Sequence, residues 1–252
     1  VEPDGRLDPT FLLPAVAFAN ETGYTENSAP VLLNPMASVL DADLEMSGVY
    51  RGASLRLARA GAADFLDHYS SGSGELGPLI EGGDLLVGGT AIGRVMQNSG
   101  GVLDVRFGEQ ATQARVDAVL SGIAYEYRGD APPATVTIEW TFIDSNWNAQ
   151  EPGSSLSALA TTTVYMAPVN DFGRVFVSGI PAQGQVLTVS LEDPDGVTPN
   201  TVSYAWFASG RLIQGASDRT LVLSRSEVGQ SISVLVGFTN SSGVSEVMES
   251  AI

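Results

Sequence analysis

Acidic residues with short polar neighbours recur along the chain at Glu26-Asn27, Asp41-Ala42-Asp43, Asp130, Asn170-Asp171 and Asp193-Pro194-Asp195-Gly196. Carboxylate and carbonyl oxygens gathered at the end of a domain suit Ca²⁺, which takes about six to eight hard oxygen ligands in a forgiving geometry. Other chemistries are missing by residue type. All 12 basic residues are arginine, so there is no P-loop lysine, no Schiff-base lysine and no lysine–asparagine isopeptide bond. With 0 Cys there is no disulfide, thiolate metal site or cysteine nucleophile. The single histidine, His68, stands beside Asp67 and near Ser70 and Ser71. Adjacent strand residues point to opposite faces and no nucleophile elbow is present, so His68 reads as a solvated loop histidine rather than a hydrolase base. A glycosidase needs two carboxylates, but 29 acidic residues make chance pairs unavoidable. Trp147, among Asn146, Asn148 and Gln150, is the one aromatic in a setting that suits sugar stacking.

The elements that must position these groups are β-strands. At 252 residues and 44% hydrophobic content the chain can fill one large or two medium cores, and 28 Gly with 13 Pro imply frequent turns. A net charge of −17 repels nucleic acid and anionic lipid, and no run of apolar residues is long enough to span a bilayer. Val136, Ile138 and Trp140 alternate with Thr137 and Glu139, and Leu156 to Met166 alternates likewise. One helix is predicted over Ala111–Ser121, with Val116, Val119 and Leu120 inward and Gly122 just beyond its end. Gly72 to Gly101 reads as hairpin turns. From Val175 to Phe238 alternating runs return, with turn signals at short intervals and Trp206 at the place of a buried sandwich tryptophan. The fold class expected is all-β: two tandem antiparallel β-sandwiches, the first with a short helix. The domains expected are 24–171 and 172–252, after an N-terminal extension over 1–23. Val1 to Asn20 lacks the features of a signal peptide and reads as the middle of something larger.

Tyr24 to Pro30, Val39 to Asp43, Gln110 to Asp117, Asp130 to Phe142 and Val169 to Asp171 together resemble a cadherin-like module of large bacterial surface adhesins, including the RTX type. Residues 173–252 resemble the bacterial immunoglobulin-like repeat that accompanies it, through Asp193 to Gly196, Ser203 to Trp206 and Ser226 to Ile232. The loop after the Trp140-Thr141-Phe142 strand departs from that pattern by carrying Trp147 and Glu151.

If the chain enters a sandwich at its top and leaves at its bottom, two Ca²⁺ sites are expected. The upper would use Glu26, Asp41, Asp43 and Asp144. The lower, at the domain junction, would use Asp130, Asn170, Asp171, Asp193 and Asp195. The expectation is a non-catalytic, calcium-stabilised structural or adhesion segment of a large secreted or cell-surface bacterial protein. Its expected partners are neighbouring repeats of the same chain and a surface glycan or protein, with neither nucleic acid nor membrane insertion. The alternatives are a carbohydrate-binding module acting through Trp147, and an accessory region of a large extracellular enzyme whose catalytic domain lies elsewhere.

Overall fold

A computed structural model of the chain describes residues 21–39, 48–143 and 157–251. The chain divides into two units, Val1–Ala167 and Pro168–Ile252. Each is a sandwich of β-sheets around its own core, as the alternating apolar runs imply.

The larger sheet of the first unit has seven strands. Their order is β1 (Glu21–Thr25), β10 (Ser157–Ala167), β9 (Thr135–Ile143), β3 (Ser54–Arg59), β7 (Val102–Phe107), β6 (Thr90–Ser99) and β5 (Asp84–Val87). The smaller sheet runs β2 (Val31–Leu32), β8 (Ile123–Tyr127) and β4 (Asp67–Ser71). Val136, Ile138 and Trp140 on β9 and Thr162, Val164 and Met166 on β10 all face inward, as their period-two spacing requires. The Trp140 indole N–H donates to Thr162 Oγ1 at 3.0 Å, so a polar atom in the core is matched rather than stranded. Gly88-Gly89 and Gly100-Gly101 all have positive φ and turn the β5–β6 and β6–β7 hairpins.

One pairing departs from an all-antiparallel sheet. β1 runs parallel to β10, with Glu21 opposite Thr163 and Thr25 opposite Ala167. The chain therefore leaves β1 at the same end at which it leaves β10, and this decides where Glu26 lies.

The helix, α1 (Gln113–Gly122), sits close to its predicted place, but Gly122 is its last residue rather than the one beyond it. The next residue, Ile123, is extended and starts β8 directly. Val116, Val119 and Leu120 bury into the core, while Gln113 and Asp117 turn to the backbone of Val39. The Val39 N–H donates to Asp117 Oδ1 at 3.0 Å, and Gln113 Nε2 donates both to the Val39 carbonyl and to the Asp117 carboxylate. Burial raises the Asp117 carboxyl above its ordinary value, against the lowering effect of these donors. Asp117→Ala strands the Val39 N–H and is expected to destabilise the first unit by about 1–3 kcal/mol. Urea denaturation reads the loss, and amide exchange at Val39 rises with it.

The second unit pairs β11 (Arg174–Ser178), β12 (Val186–Glu192) and β15 (Thr220–Val222) in one sheet. Its other sheet has the order β14 (Arg211–Leu212), β13 (Ser203–Ala208), β16 (Ile232–Thr239) and β17 (Ser245–Ala251). Leu187, Val189, Leu221, Val234 and Val236 fill the space between the sheets around a fully buried Trp206.

Candidate metal centre

Of the residues predicted to bind metal, Asp41, Asp43 and Asp144 lie outside the described residues, as does Trp147. Glu26 and Asp130 belong to the first unit. They were expected at opposite ends, yet carboxylate oxygens of the two lie within 4.8 Å of each other. The parallel β1 explains this. The Glu26 N–H donates to the Ala167 carbonyl at the end of β10, and Met166 N–H donates to Ala134 in the segment that carries Asp130 into β9. Glu26 is buried and Asp130 exposed.

The second unit gathers a larger set. Its lead-in, Asn170 to Gly173, is tied down by side chains from two other places in the sandwich. The Asp171 N–H donates to Asp195 Oδ2 at 2.8 Å and the Gly173 N–H to Glu246 Oε2 at 3.1 Å. The Asn240 Nδ2 donates to Asn170 Oδ1 at 2.7 Å and to Asp195 Oδ2 at 3.2 Å. Asp193 and Asp195 stand in the turn that follows β12, closed by the Gly196 N–H donating to the Asp193 carbonyl. Asn240 stands in the turn between β16 and β17, where the Ser241 N–H donates to the Gly196 carbonyl. The predicted Asn170, Asp171, Asp193 and Asp195 are thus brought together.

The electrostatics of this cluster are unbalanced. Asp195 is 1% exposed and Glu246 6%. Each spends one carboxylate oxygen on a backbone N–H and keeps the other, Asp195 Oδ1 and Glu246 Oε1, buried without a hydrogen-bond partner. Both oxygens of Asp193 are buried without one. Burial, followed by the negative charges of Glu246, Asp195 and Asp171, pushes the Asp193 carboxyl above its ordinary value; the Asp195 N–H opposes this without reaching hydrogen-bond geometry. No arginine pairs with these carboxylates among the described ion pairs. A buried carboxylate oxygen with no donor is a costly arrangement that a cation reverses. Gly173 belongs to the same design, since a Cβ there would lie 2.8 Å from Asp193 Oδ2 and 3.0 Å from the Phe238 ring.

Glu246 and Asn240 were not predicted from the sequence. The signal for Glu246 was present. It has the inward phase of β17, alternating with the exposed Val247 and Glu249, where an apolar residue is the usual occupant. Asn240 carried no signal, because an asparagine before Ser-Ser-Gly is ordinary turn chemistry.

Asp67 and His68 face opposite sides of β4. Asp67 is engaged by Arg59 and Tyr125, while His68 lies opposite Glu126. Burial lowers the His68 imidazole below its ordinary value, with the Arg128 charge adding to this. Among the described residues no helix is long and apolar enough to cross a membrane.

No family model and no curated protein matches the chain. Solved structures align over most of its length. The crystal structure of YadV chaperone does so at 11% identity, over 93% of this chain and 97% of that one, with a TM-score of 0.24. The crystal structure of class 5 fimbriae chaperone CfaA does so at 8% identity, over 92% and 95%, with a TM-score of 0.24. These findings overturn the resemblance to a cadherin-like module and immunoglobulin-like repeat of RTX-type adhesins. With it fall the calcium-stabilised adhesion-segment function, the calcium, RTX and adhesin labels that described such a segment, the neighbouring repeats expected as partners and the expected surface glycan or protein. The motifs behind the resemblance are turns and alternating strands, which an antiparallel sandwich of any function needs. At a TM-score of 0.24 the chaperone likeness carries no argument about what this chain binds.

Proposed function

We propose that the chain is a non-catalytic, cation-binding β-sandwich protein that works outside the cytoplasm, and that its second unit holds one hard divalent cation, Ca²⁺. The observation that carries this reading is the set of buried carboxylate oxygens on Asp193, Asp195 and Glu246 that have no hydrogen-bond partner. The donor set is all oxygen, with no histidine or cysteine near it, which suits calcium or magnesium over a transition metal. The oxygens come from turns and a strand edge rather than from a rigid octahedral frame, and that favours calcium. Asp193, Asp195 and Glu246 do not as a set bring oxygens within 4.8 Å of one another, so Asp193, which has no hydrogen bond to break, closes on the ion. Asp195 and Glu246 are held in place by the Asp171 and Gly173 N–H groups. A location outside the cytoplasm agrees with the affinity of such sites, about 0.1–1 mM for calcium in extracellular modules.

Isothermal titration of the chelator-treated chain tests the reading. The expected result is one saturable Ca²⁺ site, weaker or absent with Mg²⁺, and lost in Asp193→Asn. Absence of calcium heat in the folded wild-type chain, confirmed by an unchanged melting temperature at millimolar Ca²⁺, sinks it.

A further inference from the structure

Resting on that reading, we infer that the cation is the cross-link between the two sheets of the second unit, joining the β11–β12 sheet through Asp193 and Asp195 to the β16–β17 hairpin through Glu246. Antibody-type sandwiches tie their sheets together with a disulfide beside the core tryptophan. Here Trp206 is fully buried, but the chain has 0 Cys.

The two sides of the cluster come from different sheets. Asp171 and Gly173 lead into β11 and the Asp193–Gly196 turn leaves β12, so these groups report on the β11–β12–β15 sheet. Glu246 belongs to β17 and Asn240 to the β16–β17 turn, so these report on the other. The hydrogen bonds already joining this end are the Gly173 N–H on Glu246, the Asn240 amide on Asn170 and Asp195, the Ser241 N–H on the Gly196 carbonyl, and the Thr198 N–H and hydroxyl on the Thr239 and Asn240 carbonyls. Against them stand the negative charges of Glu246 and Asp195 acting on Asp193, whose carboxylate oxygens are buried. A dication turns that repulsion into attraction across the sheets. Without it the same charges push β17 away from the β12 turn, and this end of the sandwich opens.

Hydrogen exchange on the full chain, with Ca²⁺ and with chelator, separates the outcomes when read beside the calorimetry. Calcium is expected to slow exchange in two stretches together, 171–175 and 240–248. Glu246→Gln keeps the size of the side chain and an acceptor for the Gly173 N–H, so the variant folds. It is expected to bind calcium roughly tenfold or more weakly, since affinity follows ligand charge. Its cation-free melting temperature is expected to equal or exceed that of the wild type, because a repelling charge has gone. If Glu246 were only structural, its cation-free melting temperature would fall and its rise with calcium would stay intact, which overturns the inference. Calcium binding that protects 193–196 and 171–175 but leaves 240–248 exchanging as before also overturns it while leaving the proposed function standing. No binding at all removes both.

Discussion

Asp67→Ala is expected to destabilise the first unit by about 3–5 kcal/mol, because it breaks a fully buried carboxylate's pair with the partly buried Arg59 and leaves that arginine without its counter-charge. The Asp67 side chain is fully buried and accepts three hydrogen bonds. Arg59 reaches it with both prongs of the guanidinium, Nε to Oδ2 at 2.8 Å and Nη2 to Oδ1 at 2.7 Å, and the Tyr125 hydroxyl donates to Oδ1 at 2.6 Å. The carboxylate raises Arg59 further above its ordinary value, and burial followed by the Asp67 bond raises Tyr125. Truncation strands both donors. Arg59 has Asp64 at 3.5 Å as a weaker substitute, and its guanidinium also lies over the Tyr127 ring, so the loss stays below that of an isolated buried charge. In a unit of this length the melting temperature should fall by about 6–20 °C. Asp67→Asn keeps an acceptor for one donor and should cost less. The measurement is calorimetric unfolding of the two variants, with hydrogen exchange in β4 and β8 to place the change. Equal stability of Asp67→Ala and wild type would show that the pair contributes little beyond packing.

Trp206→Ala is expected to cost the second unit about 3–5 kcal/mol, the range for emptying a large aromatic from a packed core. Trp206 is fully buried among Leu187, Val189, Leu221 and Val234, and its indole N–H donates to the Asp218 carbonyl at 2.9 Å. The second term matters because Asp218 stands just before β15, so the same side chain fills the core and fixes the run-in to that strand. A small sandwich has few kcal/mol in reserve, so the variant should be largely unfolded at 37 °C. Trp206→Phe keeps most of the buried area and loses the N–H donor, which isolates the smaller effect, about 1–3 kcal/mol. Intrinsic fluorescence is ambiguous for a change of tryptophan, so exchange of the β13 and β16 amides is the cleaner measure. If calcium binds at the proposed site, millimolar Ca²⁺ should recover part of this loss. At about 100 times Kd a ligand confined to the folded state adds roughly 2.7 kcal/mol. Calcium should leave the Asp67→Ala defect in the first unit where it was.

Much of the fold was legible in the chain because burial in a sandwich imposes a period of two on the sequence. Val136, Ile138 and Trp140, or Leu187, Val189 and Leu191, announce a strand with one wet face, and Val116, Val119 and Leu120 announce the helix that interrupts the first unit. Asn170, Asp171, Asp193 and Asp195 were also visible, since turn and oxygen-donor chemistry use the same short polar residues.

What local pattern does not carry is strand direction and pairing. A parallel β1 reads like an antiparallel one, yet the direction alone sets Glu26 beside Asp130 instead of far from it. In the same way Glu246 is one acid among 29 until β17 turns its even phase inward and sets it against the Gly173 N–H and the charge of Asp193. Composition and periodicity thus determined the class of fold and the kind of donor available. Only the tertiary structure decided which donors share one buried place, because that depends on contacts between residues about 50–75 positions apart, Asp193 with Glu246 and Gly173 with Glu246, for which the local physics of the chain has no term.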